Sequence, residues 1–294
     1  TVTLAATCPK LVAPAMNTAM LENPITQDNL ATLERYGFTV IPSESGVLAC
    51  KDVGSGRLPK EEVLIEHILH AIARPKDLAG LRIAVTAGPT QEALDPVRYL
   101  TNHSTGKMGY AIAEAARDLG ANVTLISGPS ALTPLAGVNF FKVESARDMR
   151  RLVLENFPES QIVIKAAAVA DYRVKNVADH KIKKNDEELT LVLEKNPDIL
   201  KELGQKKQKG QVLVGFAAET QNLIQYAQSK LEKKNLDMIV ANDVSKPQAG
   251  FNVDTNLIKL LKRDGSIEEL PLMSKKDLAY IILNHVMKIY RQHN

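Results

Sequence analysis

The residues best suited to chemistry lie in loops that follow apolar runs. Ile83-Ala84-Val85 leads into Thr86-Ala87-Gly88-Pro89-Thr90, and a further excursion ends in Thr101-Asn102-His103-Ser104-Thr105-Gly106-Lys107-Met108-Gly109 before a helical pattern. Glycines at the mouth of a helix let backbone N–H groups approach a phosphate, whose charge the helix dipole favours. The spacing is neither GxGxxG nor a Walker A loop, because Met108 follows Lys107 where Ser or Thr should stand. In Lys165-Ala166-Ala167-Ala168-Val169-Ala170-Asp171, small residues let a flat base or ribose lie against backbone, and Asp171 could reach a ribose hydroxyl or a metal ion. Lys181-Ile182-Lys183-Lys184 would suit a triphosphate, since lysine supplies mobile point charge. Asn196-Pro197-Asp198-Ile199 leaves N–H groups free at a helix start, Phe216 ends a buried run, and Lys230 and Lys234 lie one turn apart. Each has a plainer reading beside the chemical one: turn glycines, an alanine-rich core strand, a solvated charge run, a core phenylalanine.

These loops need a scaffold, and the apolar periodicity supplies one. From residue 81 onward, strands are expected at 82–86, 122–127, 139–143, 161–167, 190–193, 211–216 and 237–241. Helices are expected between several of them, at 109–119, 146–156, 197–203 and 222–233. Runs such as Ile162-Val163-Ile164 are apolar on both faces, as central parallel strands are. Segments 257–261 and 267–272 flank Arg263-Asp264-Gly265, a hairpin signal, and a last helix is expected from 275 to about 290. The class is α/β, a Rossmann-like doubly wound and mostly parallel sheet over 81–294. Residues 1–73 read as a separate unit with short strands at 11–15 and 38–42, helices at 26–36 and 60–73, and a glycine-bearing loop at 43–59. Residues 74–80 are the linker, carrying Pro, Gly and charge.

Composition bounds the function. The 294 residues hold 37 basic and 34 acidic side chains, a net charge of +3 that is too even to argue for duplex nucleic acid. No apolar run approaches the roughly 20 residues needed to span a bilayer. Cys8 and Cys50 make no disulfide framework and no CxxC metal spacing, so a reducing, cytoplasmic setting is expected. The chain opens Thr-Val-Thr-Leu without Met, and the expectation is a piece whose upstream part is missing.

Seven motifs stand in order: Thr-Ala-Gly-Pro-Thr, Asn-His-Ser-Thr-Gly-Lys-Met-Gly, Ala-Ala-Val-Ala-Asp-Tyr, Lys-Ile-Lys-Lys, Lys-Asn-Pro-Asp-Ile, Gly-Phe-Ala-Ala-Glu-Thr and Ala-Asn-Asp-Val. Together they closely resemble phosphopantothenate–cysteine ligase, which in bacteria is usually fused to phosphopantothenoylcysteine decarboxylase in coenzyme A biosynthesis. The resemblance implies small-molecule substrates: 4'-phosphopantothenate, L-cysteine and CTP. The carboxylate would attack the α-phosphate of CTP, giving an acyl-cytidylate and pyrophosphate; the cysteine amine would then displace CMP. By resemblance Lys181 acts on the nucleotide during activation and Asn102 orients the activated acyl group. Lys165, Ala166, Ala167, Asp171, Lys181, Pro197, Asp198, Ile199, Leu200, Phe216, Lys230 and Lys234 match the family's nucleotide positions. Mg²⁺ bridging the triphosphate is expected to take few protein ligands, with Asp171 the candidate.

In the small unit, Pro14-Ala15-Met16-Asn17 and the stretch from Gly46 to Arg57 around Cys50 resemble two decarboxylase motifs. The resemblance implies that Asn17 binds substrate and that Cys50, on a mobile flap, donates a proton. Lys51 follows Cys50 where the family has Gly. The flavin-phosphate loop and catalytic histidine are expected upstream of Thr1, so FMN binding and decarboxylation are expected of the full-length protein and not of this chain. A homodimer through the ligase half, and a larger homo-oligomer for the full-length protein, are also implied. The rival readings are an NAD(P)-binding oxidoreductase, which lacks its GxGxxG here, and a non-enzymic regulatory relative, which has no need of Cys50, Asn102 and Lys181 together.

Overall fold

The computed structural model describes residues 2–72, 74–184, 188–219, 223–243, 250 and 252–294. The expected features at Thr1, Ala73, 185–187, Thr220, Asn222 and Val244 lie outside the described residues. The chain divides into two compact units, Thr1–Pro75 and Lys76–Asn294.

In the larger unit the strands of the main sheet are β1 (Arg82–Ala87), β2 (Asn122–Ser127), β3 (Asn139–Lys142), β4 (Ile162–Lys165), β5 (Val212–Glu219), β6 (Met238–Asp243), β7 (Ile258–Lys262) and β8 (Ile267–Glu269). Its helices are α1 (Lys107–Asp118), α2 (Ala146–Asn156), α3 (Ile199–Lys206), α4 (Leu223–Lys233) and α5 (Lys275–His293). The strand order is β8-β7-β6-β5-β4-β1-β2-β3. All pairings from β6 to β3 are parallel, and β7 and β8 close one edge antiparallel. The doubly wound fold is therefore present.

Side chains of successive strand residues face opposite ways, and each face has its own core. Ile162, Ile164, Val212, Val214, Met238 and Val240 join α1 and α5. Val163, Leu213, Ile239 and Ala241 join α2, α3 and α4 instead. Helix α1 lies close on β1 because Gly109 has no side chain; a Cβ there would stand 2.6 Å from the Ala87 Cβ. Ser145 and Asp148 form a capping box that starts α2. No helix among the described residues is long and apolar enough to cross a membrane.

One local expectation needs correction, and one element was not expected. Segment 190–193 is not a strand of the main sheet; Leu193–Lys195 pairs antiparallel with Tyr172–Val174 in a separate two-stranded ribbon. A second ribbon, Gln91–Ala93 with Tyr99–Thr101, had no sequence signal of its own. Both are short and polar, so pairing rather than periodicity defines them.

In the smaller unit Leu11–Val12 pairs parallel with Thr39–Val40, and helices cover Val2–Ala5, Thr18–Leu21, Pro24–Arg35 and Glu61–Ile72. The expected loop at 43–59 contains an antiparallel hairpin, Glu44–Val47 with Val53–Arg57. Its glycines obscured the alternation that marks a strand, yet they are what lets it pack. Gly56, at φ +114, lies so close to the Met16 carbonyl that a Cβ would approach it to 2.1 Å.

Candidate functional site

A cleft of about 440 Å³ opens over the carboxyl ends of β4, β5 and β6, against the loop that enters α1. This is where parallel α/β sheets bind ligands, because the strands end there and loops diverge. The loops after β1 and β4 run side by side beyond the sheet. The Ala168 N–H donates to the Gly88 carbonyl at 2.9 Å, and the Thr90 N–H to the Ala168 carbonyl at 3.3 Å. Two buried hydroxyls hold the same turn: Thr86 Oγ1 accepts the Ala167 N–H at 3.2 Å and Thr90 Oγ1 accepts the Ala170 N–H at 3.0 Å. Asn102 Nδ2 donates to the Val169 carbonyl at 3.1 Å, which fixes its amide against the end of the alanine segment.

Lys165, Ala166, Ala167, Asp171, Leu200, Phe216, Lys230 and Lys234 line this cleft together with Asn102. These residues come from five separate stretches of chain. Lys234 reaches Asp198 at 2.8 Å, and Asp198 caps α3 by accepting the Lys201 N–H at 3.0 Å. Burial pushes the Asp198 carboxyl up, but Lys234 and the Lys201 N–H outweigh it and hold the group below its usual range. Lys165 is half-buried at the end of β4 and lines the cleft. Its desolvation, and next the charge of Lys234, pull its pKa down to about 8, against the counter-pull of Asp198 and Asp171. Three ammonium groups around one opening suit an anionic ligand.

Not every expected residue faces the cleft. Ile199 is buried in the core on the α3 side, Pro197 precedes it, and Asp198 acts through Lys234. Lys181 is exposed and does not line the opening. Its neighbour Ile182 is bound by the Asp95–Arg98 turn: Asp95 Oδ2 accepts the Ile182 N–H at 3.1 Å, and Arg98 donates to the Ile182 carbonyl at 2.6 Å. Burial pushes the Asp95 carboxyl up, but Arg98 and the N–H groups of Val97, Ile182 and Arg98 hold it far below the carboxylate range. Asp95 and Arg98 had no sequence signal beyond a proline turn. Lys275 was likewise missed as a cleft residue, whereas Lys107 lies in the loop expected to approach a phosphate. Lys107 pairs with Asp254 at 2.7 Å, while burial and then Lys107 lower the pKa of Lys275.

Among the described residues that line the cleft, the exposed Asp171 is the one carboxylate that could meet a divalent ion. Among the described residues, no group of three His, Cys, Asp or Glu could hold a metal ion. That donor set fits an ion carried mainly by ligand phosphates.

In the smaller unit, Asn17 caps its helix by accepting the Met20 N–H at 2.8 Å, and the next residue, Thr18, donates to the Ser55 carbonyl at 2.8 Å. The Asn17 loop and the hairpin are thus one assembly. Cys50 stands at the exposed hairpin tip, 3.4 Å from Asp52 Oδ2. Lys51 has φ +71, the left-handed region where glycine costs nothing. The departure from the family's Gly therefore falls where backbone geometry favours Gly.

A family described as DNA/pantothenate metabolism flavoprotein C-terminal domain matches residues 78–290, and one described as Flavoprotein matches residues 1–73. The coenzyme A biosynthesis bifunctional protein CoaBC of Bacillus subtilis is 50% identical over 297 residues, covering 99% of this chain and 72% of the relative. The chain belongs to the CoaBC family. The corresponding protein of Haemophilus influenzae is 48% identical over 99% of this chain and 72% of its own. A crystal structure of the C-terminal domain of a CoaBC protein shares 46% identity and a TM-score of 0.64, covering 74% of this chain and 99% of that one. A Cab2 mutant solved with phosphopantothenate-cysteine, at 15% identity and a TM-score of 0.57 over 78% of this chain and 91% of that one, shares the fold. The two family regions together cover nearly the whole of this chain.

Proposed function

We propose that the cleft of the larger unit joins 4'-phosphopantothenate to L-cysteine through an acyl-cytidylate formed from CTP. The convergence of Asn102, Asp171, Phe216, Lys165, Lys230 and Lys234 on one cleft carries this reading. The pantothenate carboxylate attacks the α-phosphate, one P–O bond forms, and pyrophosphate leaves. The cysteine amine then attacks the acyl carbon, loses a proton, and CMP departs. The protein's part is positioning and charge compensation. Lys165, Lys230 and Lys234 offset phosphate charge, Phe216 and the alanines of 166–167 bound a flat group, and Asn102 orients the acyl oxygen. Lys181 acts during activation from its loop beside the Asp95–Arg98 turn. Mg²⁺ supplies Lewis-acid neutralisation of the triphosphate when bound, with Asp171 as the protein oxygen.

Asn17 and Cys50 serve the second, FMN-dependent activity of the family, decarboxylation of 4'-phosphopantothenoylcysteine. An exposed thiol at a hairpin tip and an amide on the adjoining loop suit the substrate side of such a site. FMN would supply the redox chemistry of that activity when bound. The protein is proposed to act in the cytoplasm as a homodimer or larger homo-oligomer.

The test is pyrophosphate release from CTP, and separately from ATP, with and without 4'-phosphopantothenate and cysteine. Release that requires phosphopantothenate and favours CTP supports the reading. Release with ATP alone overturns the base preference, and none with either nucleotide from folded protein overturns the activity.

A further inference from the structure

Along β6, Met238, Val240 and Asn242 point to the same face of the sheet. Met238 and Val240 are fully buried among apolar side chains of the α1 and α5 core. Asn242 is 8% exposed, lines the cleft, and its Oδ1 is buried without a hydrogen-bond partner. An unpaired buried carbonyl oxygen is costly, whereas an aliphatic residue would simply extend the row. Protein packing gives no reason for an amide here, so the reason lies in what occupies the cleft.

We propose that Asn242 is a ligand-contacting residue of the ligase site, where its Oδ1 accepts a hydrogen bond from a neutral N–H or O–H group of a bound substrate. The inference rests on the proposed ligase reading. Three observations set the chemistry. Phe216 pairs with Val240 in the register of β5 and β6, so its ring and the Asn242 amide share one face of the cleft. The χ2 torsion of asparagine is soft, so the amide turns to meet a ligand at small cost. Lys107 and Lys275 line the same cleft, and their positive charge disfavours an ammonium or a metal ion at Oδ1 and leaves a hydroxyl, amide or amino donor. CTP and 4'-phosphopantothenate both carry such donors, and separate titrations distinguish them.

The experiment is calorimetric titration of the full chain with CTP and, separately, with 4'-phosphopantothenate, in wild type and Asn242→Leu, with a thermal melt of each protein. Asn242→Leu is expected to melt no lower than wild type, because it removes an unpaired polar group, and to lose about tenfold in affinity for one ligand, the worth of one buried hydrogen bond. Loss for CTP places the donor on the nucleotide; loss for phosphopantothenate places it on the acyl substrate. Both affinities within twofold of wild type overturn the inference, whatever the melt shows. Should the leucine variant not fold, Asn242→Ala is titrated with the same expected loss and the same refuting result. A wild type that binds neither ligand defeats the ligase reading itself, and this inference with it.

Discussion

The Asp95 carboxylate accepts the backbone N–H of Ile182 at 3.1 Å, across 87 residues of chain. Asp95 sits in the turn joining the two strands of the ribbon that ends next to Asn102, and Ile182 follows Lys181. One buried carboxylate thereby links the two loops that carry the proposed activation and acyl-orienting groups. Asp95→Ala is expected to release the Lys181 loop and lower the rate of pyrophosphate formation at least tenfold, with CTP affinity nearly unchanged. A calorimetric Kd and a single-turnover rate check this; equal losses in both would refute the link.

Lys165 titrates near pH 8 because burial and Lys234 oppose its charge. Its folded pKa lies below the unfolded value, so below about pH 8 the folded protein carries a cost that disappears as pH rises toward the unfolded pKa. A nucleotide needs the protonated form. Affinity for CTP is therefore expected to fall as pH rises through about 8. Lys234→Gln removes a repelling charge and frees Asp198, so the inflection should move to higher pH. Kd measured against pH in both proteins decides it, and an unmoved inflection assigns the titration elsewhere.

Asn102 donates through Nδ2 to the Val169 carbonyl. Asn102→Asp replaces that donor with a carboxylate facing a carbonyl, so the acyl group loses its orienting amide. The acyl-cytidylate should accumulate, visible by rapid quench, while product formation slows by 10-fold or more. Undiminished flux to product removes Asn102 from the second step. Lys181→Gln, at an exposed position, should slow pyrophosphate release without changing the melting temperature.

Lys51 occupies a left-handed backbone position that costs an L-residue about 1 kcal/mol. Lys51→Gly should relieve most of it, with the added chain entropy of glycine offsetting a part. The Leu48 N–H bonds the Asp52 carbonyl at 2.8 Å across this turn, and its hydrogen exchange should slow several-fold. Unchanged exchange would show that the turn is not strained.

Much of the site was legible because its residues are bound to particular places along the chain. Lys165, Phe216 and the 102–109 loop each follow a strand, and a strand read from its apolar run locates the end at which ligands gather. Lys230 and Lys234 were read as one turn apart, and α4 and the turn just after it bring both to the cleft. Lys275 was not legible as a cleft residue, nor were Asp95 and Arg98 as the anchor of the Ile182 loop. Their partners lie in distant segments, and no local period records them.

The sequence by itself determined the alternation of strands and helices, the motif order and therefore the family, because backbone propensity and side-chain period are local properties. Only the tertiary structure decided which side chains share a cleft, that the pKa of Lys165 is pulled down, that Asp95 holds Ile182 next to Lys181 while Lys181 stays out of the opening, and that Asn242 Oδ1 is buried without a partner. Burial, charge proximity and hydrogen-bond satisfaction are relations between segments, and they come into being only when strands far apart in the chain are laid side by side.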